Sequence, residues 1–471
     1  MTQASTLVPT DATATAADVQ ADGVSRDARR GMHLVESHDA FLAALPPTGQ
    51  PSWVASLRRA GLDAFRAQGL PTIRDENWRH TNVASIGRTQ FLRAGAGEIA
   101  ALDRDRLEPF FIPGCVELVF VNGRFTPDLS KLDDLPRNAF VGGLGEALAE
   151  DPDWLQRHLG QHGPIDGHPF AALNTAYLAD GAVVHVPRGV VIEKPIHCLF
   201  VGLPADGEPV ASYPRNLFVA EENSQVTIIE TYAGFDDAPY FACPVTEIVG
   251  APSSMIDHYK LQEESLGAFH MAQQFVDLRR SANFFSHSIS YGGRLVRNDI
   301  LGALREEHIE CTLNGLYLAR GQQHVDHHMW IDHIAPHCNS YELFKGVLEG
   351  RSRAVFNGRI YVHKGAQKTD AKQSNRNLLL SPDALVHSNP QLEIFADDVR
   401  CTHGSTTGHL DEQSLFYLRS RGIGVEAARS LLTYAFAAEV LGEIRLDAVR
   451  EDVEEFLFTR LPRGEVVRQA V

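Results

Sequence analysis

The spacing of apolar positions changes character twice along the chain. In the first part it is helical: Leu34, Phe41, Leu42 and Leu45 recur at roughly helical spacing, and Leu57, Leu62 and Phe65 continue it over 53–69, where Gly69 and Pro71 are stops. A short strand follows at Val116–Val121, Asn122-Gly123 turns the chain into Arg124-Phe125 as a hairpin would, and 144–159 is helical again. Over 182–403 the helical period disappears. Short β-branched and aromatic runs such as Val183-Val184-His185-Val186, Val226-Thr227-Ile228-Ile229 and Ile360-Tyr361-Val362 alternate with turns such as Glu222-Asn223-Ser224 and Gly292-Gly293. A stretch this long predicts a large sandwich or a β-solenoid, and with no fixed repeat visible the pattern leaves both open.

The last part is helical once more. Asp411 caps a helix through Leu415, Phe416 and Leu418 to Gly422, a second helix covers Val425–Leu441, and a third covers 446–461 with Val449, Val453, Phe456 and Leu457 on its apolar face. Such a unit covers the open end of a β-core or docks a partner. Residues 1–30, rich in Ala, Thr and Asp, cannot bury enough apolar surface to offset the entropy of ordering and read as a disordered tail.

Composition narrows the function classes. At 471 residues and 44% hydrophobic the chain can hold two or three domains around a sizeable core. Its formal charge of -17 opposes binding to phosphate backbones and anionic lipid, which argues against nucleic acid and membrane as partners. No apolar run approaches the roughly 20 residues of a membrane span and no charged leader precedes an apolar segment, so a cytoplasmic protein is expected. Cys115, Cys198, Cys243, Cys311, Cys338 and Cys401 show no CxxC pairing, the pattern of reduced thiols.

Two groups of residues could carry chemistry. Cys401 and His403 stand two apart on an extended segment and so share a face, where thiolate and imidazole can reach one soft or borderline metal. Two ligands do not close a tetrahedral site, and a second chain is a natural donor of the rest. The plainer reading makes Cys401 a core residue and His403 a turn histidine. The second group is the run from His324 through His327, His328 and His333 to His337 and Cys338, which would be the ligand set of a metal-dependent enzyme. Strand alternation counts against that, since His324, Asp326, His328 and Trp330 face one way while Val325, His327, Met329, Ile331 and His333 face the other. Lys368 lacks the Gly directly before it that a phosphate cradle requires, Thr406 replaces the serine of a nucleophile elbow, and no HExxH segment occurs.

Several stretches together resemble the shared core of the SufB/SufD family. They are Tyr341-Glu342-Leu343-Phe344-Lys345-Gly346, Ala354-Val355-Phe356-Asn357-Gly358-Arg359, Ala366-Gln367-Lys368-Thr369-Asp370, and Pro390-Gln391-Leu392-Glu393-Ile394 leading to Cys401 and His403. They stand in matching order over about 80 residues, which is far more specific than any short motif. Glu76-Asn77-Trp78-Arg79 and His168-Pro169-Phe170-Ala171 are similar to the SufD branch, while Ser405 and Thr407 depart from the Ala and Val often found there. The resemblance implies a mainly β protein, a right-handed parallel β-helix core over 166–408 between a mainly helical region at 31–165 and a helical region at 409–471. It also implies a non-catalytic scaffold for iron-sulfur cluster assembly, complexed with SufB and the ATPase SufC, which docks on 411–461. Cys401 and His403 would contribute to a transient cluster shared with SufB, nucleotide would bind to SufC rather than to this chain, and a homodimer of the isolated chain stays open.

Overall fold

The structure, a computed structural model, describes residues 31–45, 51–93, 102–150, 152–205, 207–235 and 239–470. The expected tail over 1–30 lies outside the described residues.

Runs of β-branched and aromatic residues separated by four- to seven-residue corners send successive strands alternately into two sheets. Phe269–Leu278, Leu295–Leu304, His324–His333, Arg353–Val362 and Leu385–Ile394 belong to the first sheet. Met255–Glu263, Asn283–Ser290, Glu310–Ala319, Asn339–Leu348, Asp370–Leu379 and Arg400–Gly408 belong to the second. Each pairs in parallel with the strand one coil further on, so the core is a parallel β-solenoid and not a sandwich. The in-register partners Phe269, Leu295, His324, Arg353 and Leu385 stand 26, 29, 29 and 32 residues apart. Coils of unequal length explain why the sequence shows no fixed repeat.

Side chains of alternate parity fill the space between the sheets, among them Phe200, Phe218, Ile228, Ile256, Phe284, Val325, Phe344 and Phe356. The corners leading from the first sheet to the second repeat one device. Asn223, Ser253, Ser281, His308, His337 and Lys368 each take a left-handed conformation, with φ of 57°, 60°, 56°, 64°, 59° and 63°. The N–H of Asn223 donates to Pro252 O, that of Ser253 to Arg280 O and that of Ser281 to Glu307 O, at 3.1, 2.8 and 3.0 Å. His337 N–H to Gln367 O and Lys368 N–H to Asp398 O continue the stack near the last coils.

Helices flank both outer faces. Ser52–Gln68 and Pro169–Ala176 lie against the first sheet, where Phe65, Phe170 and Leu173 pack on Phe241, Phe269 and Met271. They approach so closely that a Cβ on Gly61 would fall 2.6 Å from the backbone N of Ala176. The helix expected over 144–159 is two helices, Leu144–Glu150 and Asp153–His158, because Pro152 lacks the N–H that would continue the first. The N-terminal region also starts both sheets: Val116–Val121 pairs with Ile196–Gly202, and Phe140–Gly143 closes the first sheet antiparallel to Ala182–Val186. Asn122 and Gly123, with φ of 48° and 77°, make the expected hairpin turn to Arg124-Phe125. Nearby, the buried Arg215 and Glu247 pair at 2.6 Å, and Glu247 accepts the N–H groups of Gly160, Gln161 and His162 at 2.8, 3.1 and 3.1 Å.

The C-terminal helices Glu412–Ser420, Val425–Leu441 and Asp447–Arg460 form as their caps predict, Asp411 accepting the Ser414 N–H at 2.7 Å and Gly422 standing at φ 88°. The unit does not cover the end of the β-core. It lies along the outer face of the second sheet, where Tyr434, Val440, Val453 and Leu457 pack on Tyr259, Leu261, Ile289 and Leu316. At this contact Tyr291 stacks on Phe456 at 3.6 Å and donates to Glu263 Oε2 at 3.3 Å. Burial, reinforced by the Asp452 charge, raises Glu263 to about 8, and burial raises Asp452 to about 6.

Candidate functional site

Cys401 and His403 lie on Arg400–Gly408, the last strand of the second sheet, which pairs on one side only with Asp370–Leu379. The register sets Cys401 beside Ala371 and His403 beside Gln373. Ala371 and Gln373 are buried, so alternation turns Cys401 and His403 to the inward face of the final coil. No coil of this chain follows, and Cys401 is half-buried while His403 is exposed. Burial holds the Cys401 thiol above its ordinary range, and the Asp370 carboxylate adds to that effect. A metal binding here must therefore displace a proton from sulfur.

Two in-register rows run from the pair into the solenoid, Cys401 to Ala371, Ser340 and Cys311, and His403 to Gln373, Glu342 and Leu313. Gln373 Nε2 donates to Glu342 Oε2 at 2.6 Å, and burial raises Glu342 to about 7. A carboxyl poised near neutrality thus stands in the His403 row, two strand spacings, about 10 Å, behind the imidazole. Sequence reasoning missed Glu342 in this role. Strand parity would have assigned it once the coil length was known, and that length is what the unequal corners hide.

The histidine run divides between faces as its alternation predicts. Outside, His324 Nε2 meets Thr81 Oγ1 at 3.0 Å and His328 Nε2 pairs with Asp326 Oδ1 at 3.1 Å. Inside, burial holds His327 and His333 at about 3 and about 4, and His333 Nε2 meets Ser340 Oγ at 2.9 Å. His337 sits on a corner, stacked on His308. Among the described residues no three His, Cys, Asp or Glu side chains gather into a metal-binding group, so the run does not supply a metal-dependent enzyme with its ligand set. The same holds at the open end, where no third such side chain joins Cys401 and His403 among the described residues. All six cysteines are free thiols. Among the described residues no helix is long and apolar enough to cross a membrane.

Comparison with known proteins places this geometry. Residues 203–436 match the family model described as "SUF system FeS cluster assembly, SufBD core domain", and 47–198 match "SufBD protein N-terminal region". The chain is 34% identical to an iron-sulfur cluster assembly SufBD family protein of Synechocystis over 85% of its length and 90% of the relative's. It is 34% identical to the iron-sulfur cluster assembly protein SufD of Escherichia coli, covering 84% of this chain and 90% of that one. With SufD of Bacillus subtilis it shares 26% identity over 86% and 93% of the two chains. Two family models that between them match 47–198 and 203–436, joined to this level of identity across nearly the whole length, establish that the chain belongs to the SufBD family of iron-sulfur cluster assembly proteins.

Proposed function

We propose that this chain is a non-catalytic, SufD-type scaffold subunit that joins SufB at the open end of its solenoid and docks the ATPase SufC on the helical unit at 411–461. A nascent iron-sulfur cluster is the cargo, held between the two scaffold chains, with Cys401 and His403 as this chain's contribution. The observation that carries the reading is the position of these two donors. They lie on the inward face of an edge strand paired on one side only, where a second chain can both continue the sheet and complete the ligand set. SufC docking is supported by Phe416 and Tyr417, which are 72% and 55% exposed on the helix Glu412–Ser420.

The test is to co-express the chain with SufB and SufC, purify the complex, and measure iron and sulfide after reconstitution for wild type and His403→Ala. Loss of cluster from an intact complex is the expected result. Unchanged iron and sulfide would leave this chain an architectural subunit and move the chemistry to SufB.

A further inference from the structure

A cleft of about 740 Å3 runs along the outer face of the first sheet, under the segment 76–81. Its floor is an in-register row of one residue per strand, Gln273, Asp299, His328, Asn357 and Asn389. At a strand separation of about 4.8 Å the row is about 19 Å long, the length of five or six extended residues at about 3.4 Å each. A second row, Trp330, Arg359 and Gln391, lies beside it. The roof is fixed in place: Arg297 sits 3.7 Å over the Trp78 ring, donates to Asn77 O at 2.6 Å, and pairs with Asp299 and Asp326 at 2.9 and 3.0 Å.

What the cleft leaves unused identifies its ligand. The side chains of Asn357, Asn389 and Gln391 bond to no other described residue. Gln273, 2% exposed, gives its Nε2 to Asp299 and leaves Oε1 without a partner. A carboxamide offers a donor and an acceptor side by side without charge, which is the complement of a peptide group. Charge excludes the commoner polar ligands. Glu76 and Asp299 line the cleft with Arg79, Arg297 and Arg359, and Asp326 and Glu393, outside the lining, pair with Arg297 and Arg359 at 3.0 and 2.7 Å. A nearly neutral cleft in a chain of net charge -17 does not concentrate phosphates. Trp330 is 41% exposed, with Arg359 4.0 Å over its ring, and offers a flat surface for one side chain of a ligand.

We propose that this cleft binds an extended, uncharged or weakly basic peptide segment of a partner protein, its backbone held by the row of carboxamides and one side chain resting on Trp330. A phage-displayed library of random dodecapeptides, selected on the full chain, supplies the probe, and the best binder is synthesised and titrated by calorimetry. One peptide is expected to bind per chain, at least ten-fold more weakly to the triple variant Asn357→Ala, Asn389→Ala, Gln391→Ala at unchanged melting temperature. Asn389→Asp, an isosteric change at an exposed site, tests the same donor without risk to folding and is expected to weaken binding about five-fold. No enriched peptide, or equal affinity for wild type and these variants, overturns the proposal. So does equal binding of a synthetic peptide of residues 1–30, which would make the occupant this chain's own segment.

Discussion

The two ends of the solenoid are built by opposite rules. At the first end the sheets close on antiparallel strands, Val116–Val121 is almost wholly buried, and Phe200 stacks between Phe120 and Tyr232 at 4.7 and 4.8 Å. At the other, Leu385–Ile394 has no fully buried residue, Arg400–Gly408 is exposed along nearly its whole length, and Ile394 and Phe395 are 39% and 55% exposed. An isolated solenoid would be expected to cap both ends, because an open edge invites unwanted pairing. The uncapped end, with Cys401 and His403 on its inner face, is the feature on which the proposed pairing with a second chain rests.

The contrast can be broken at its strongest point first. Phe200→Ala removes a stacked core ring and is expected to cost about 3–5 kcal/mol in urea denaturation, whereas Ile394→Ala should cost the isolated chain less than about 1 kcal/mol. Equal costs would mean that the second end is as well packed as the first. The exposed helix face comes next: Phe416→Ala with Tyr417→Ala should remove about 2 kcal/mol from SufC binding in a titration while leaving the melting temperature in place. A pH series then asks how tightly the lateral cover is held. An exposed glutamate titrates at about 4.3, whereas Glu263 in the fold titrates at about 8. Its protonated form is thus favoured by folding, and the associated stability, complete below pH 4, is lost as pH rises towards 8. Docking of the helical unit, followed by hydrogen exchange, should weaken progressively over that range, and Glu263→Gln should flatten the profile. The smallest change in the isolated chain is expected for Thr407→Pro. Arg400 N–H bonds to Thr369 O, so by alternation the N–H of Thr407 faces outward. Proline there should alter stability by less than about 1 kcal/mol, yet SufB co-purification should fall.

Local rules were legible in the sequence wherever one segment contains the whole signal. Asp411 and Gly422 bound their helix, Asn122-Gly123 makes its turn, and the parity of 324–333 sorts four outward residues from five inward ones. The SufBD core segments carried the family and, through it, the solenoid. What stayed hidden depends on coil length. Corners of unequal size conceal which residue stacks on which, so neither the place of Glu342 in the His403 row nor the alignment of Gln273 with Asn357 and Asn389 could be read. The lateral seat of the C-terminal helices was hidden for another reason: their apolar faces state that something is covered, not which surface.

The left-handed corners have an electrical side. The Glu222–Asn223 peptide accepts from Gly189 N–H at its carbonyl and donates at its N–H to Pro252 O, whose own peptide donates to Arg280 O, and so to Glu307. These amides are joined head to tail along the solenoid axis, each N–H pointing towards the open end, so their dipoles add as they do in a helix. Nearest the end where the chain stops coiling, His337 N–H to Gln367 O and Lys368 N–H to Asp398 O point the same way, so the positive ends of these amide dipoles face that end. A partner that brings a backbone carbonyl to that corner meets amide dipoles already aligned to receive it.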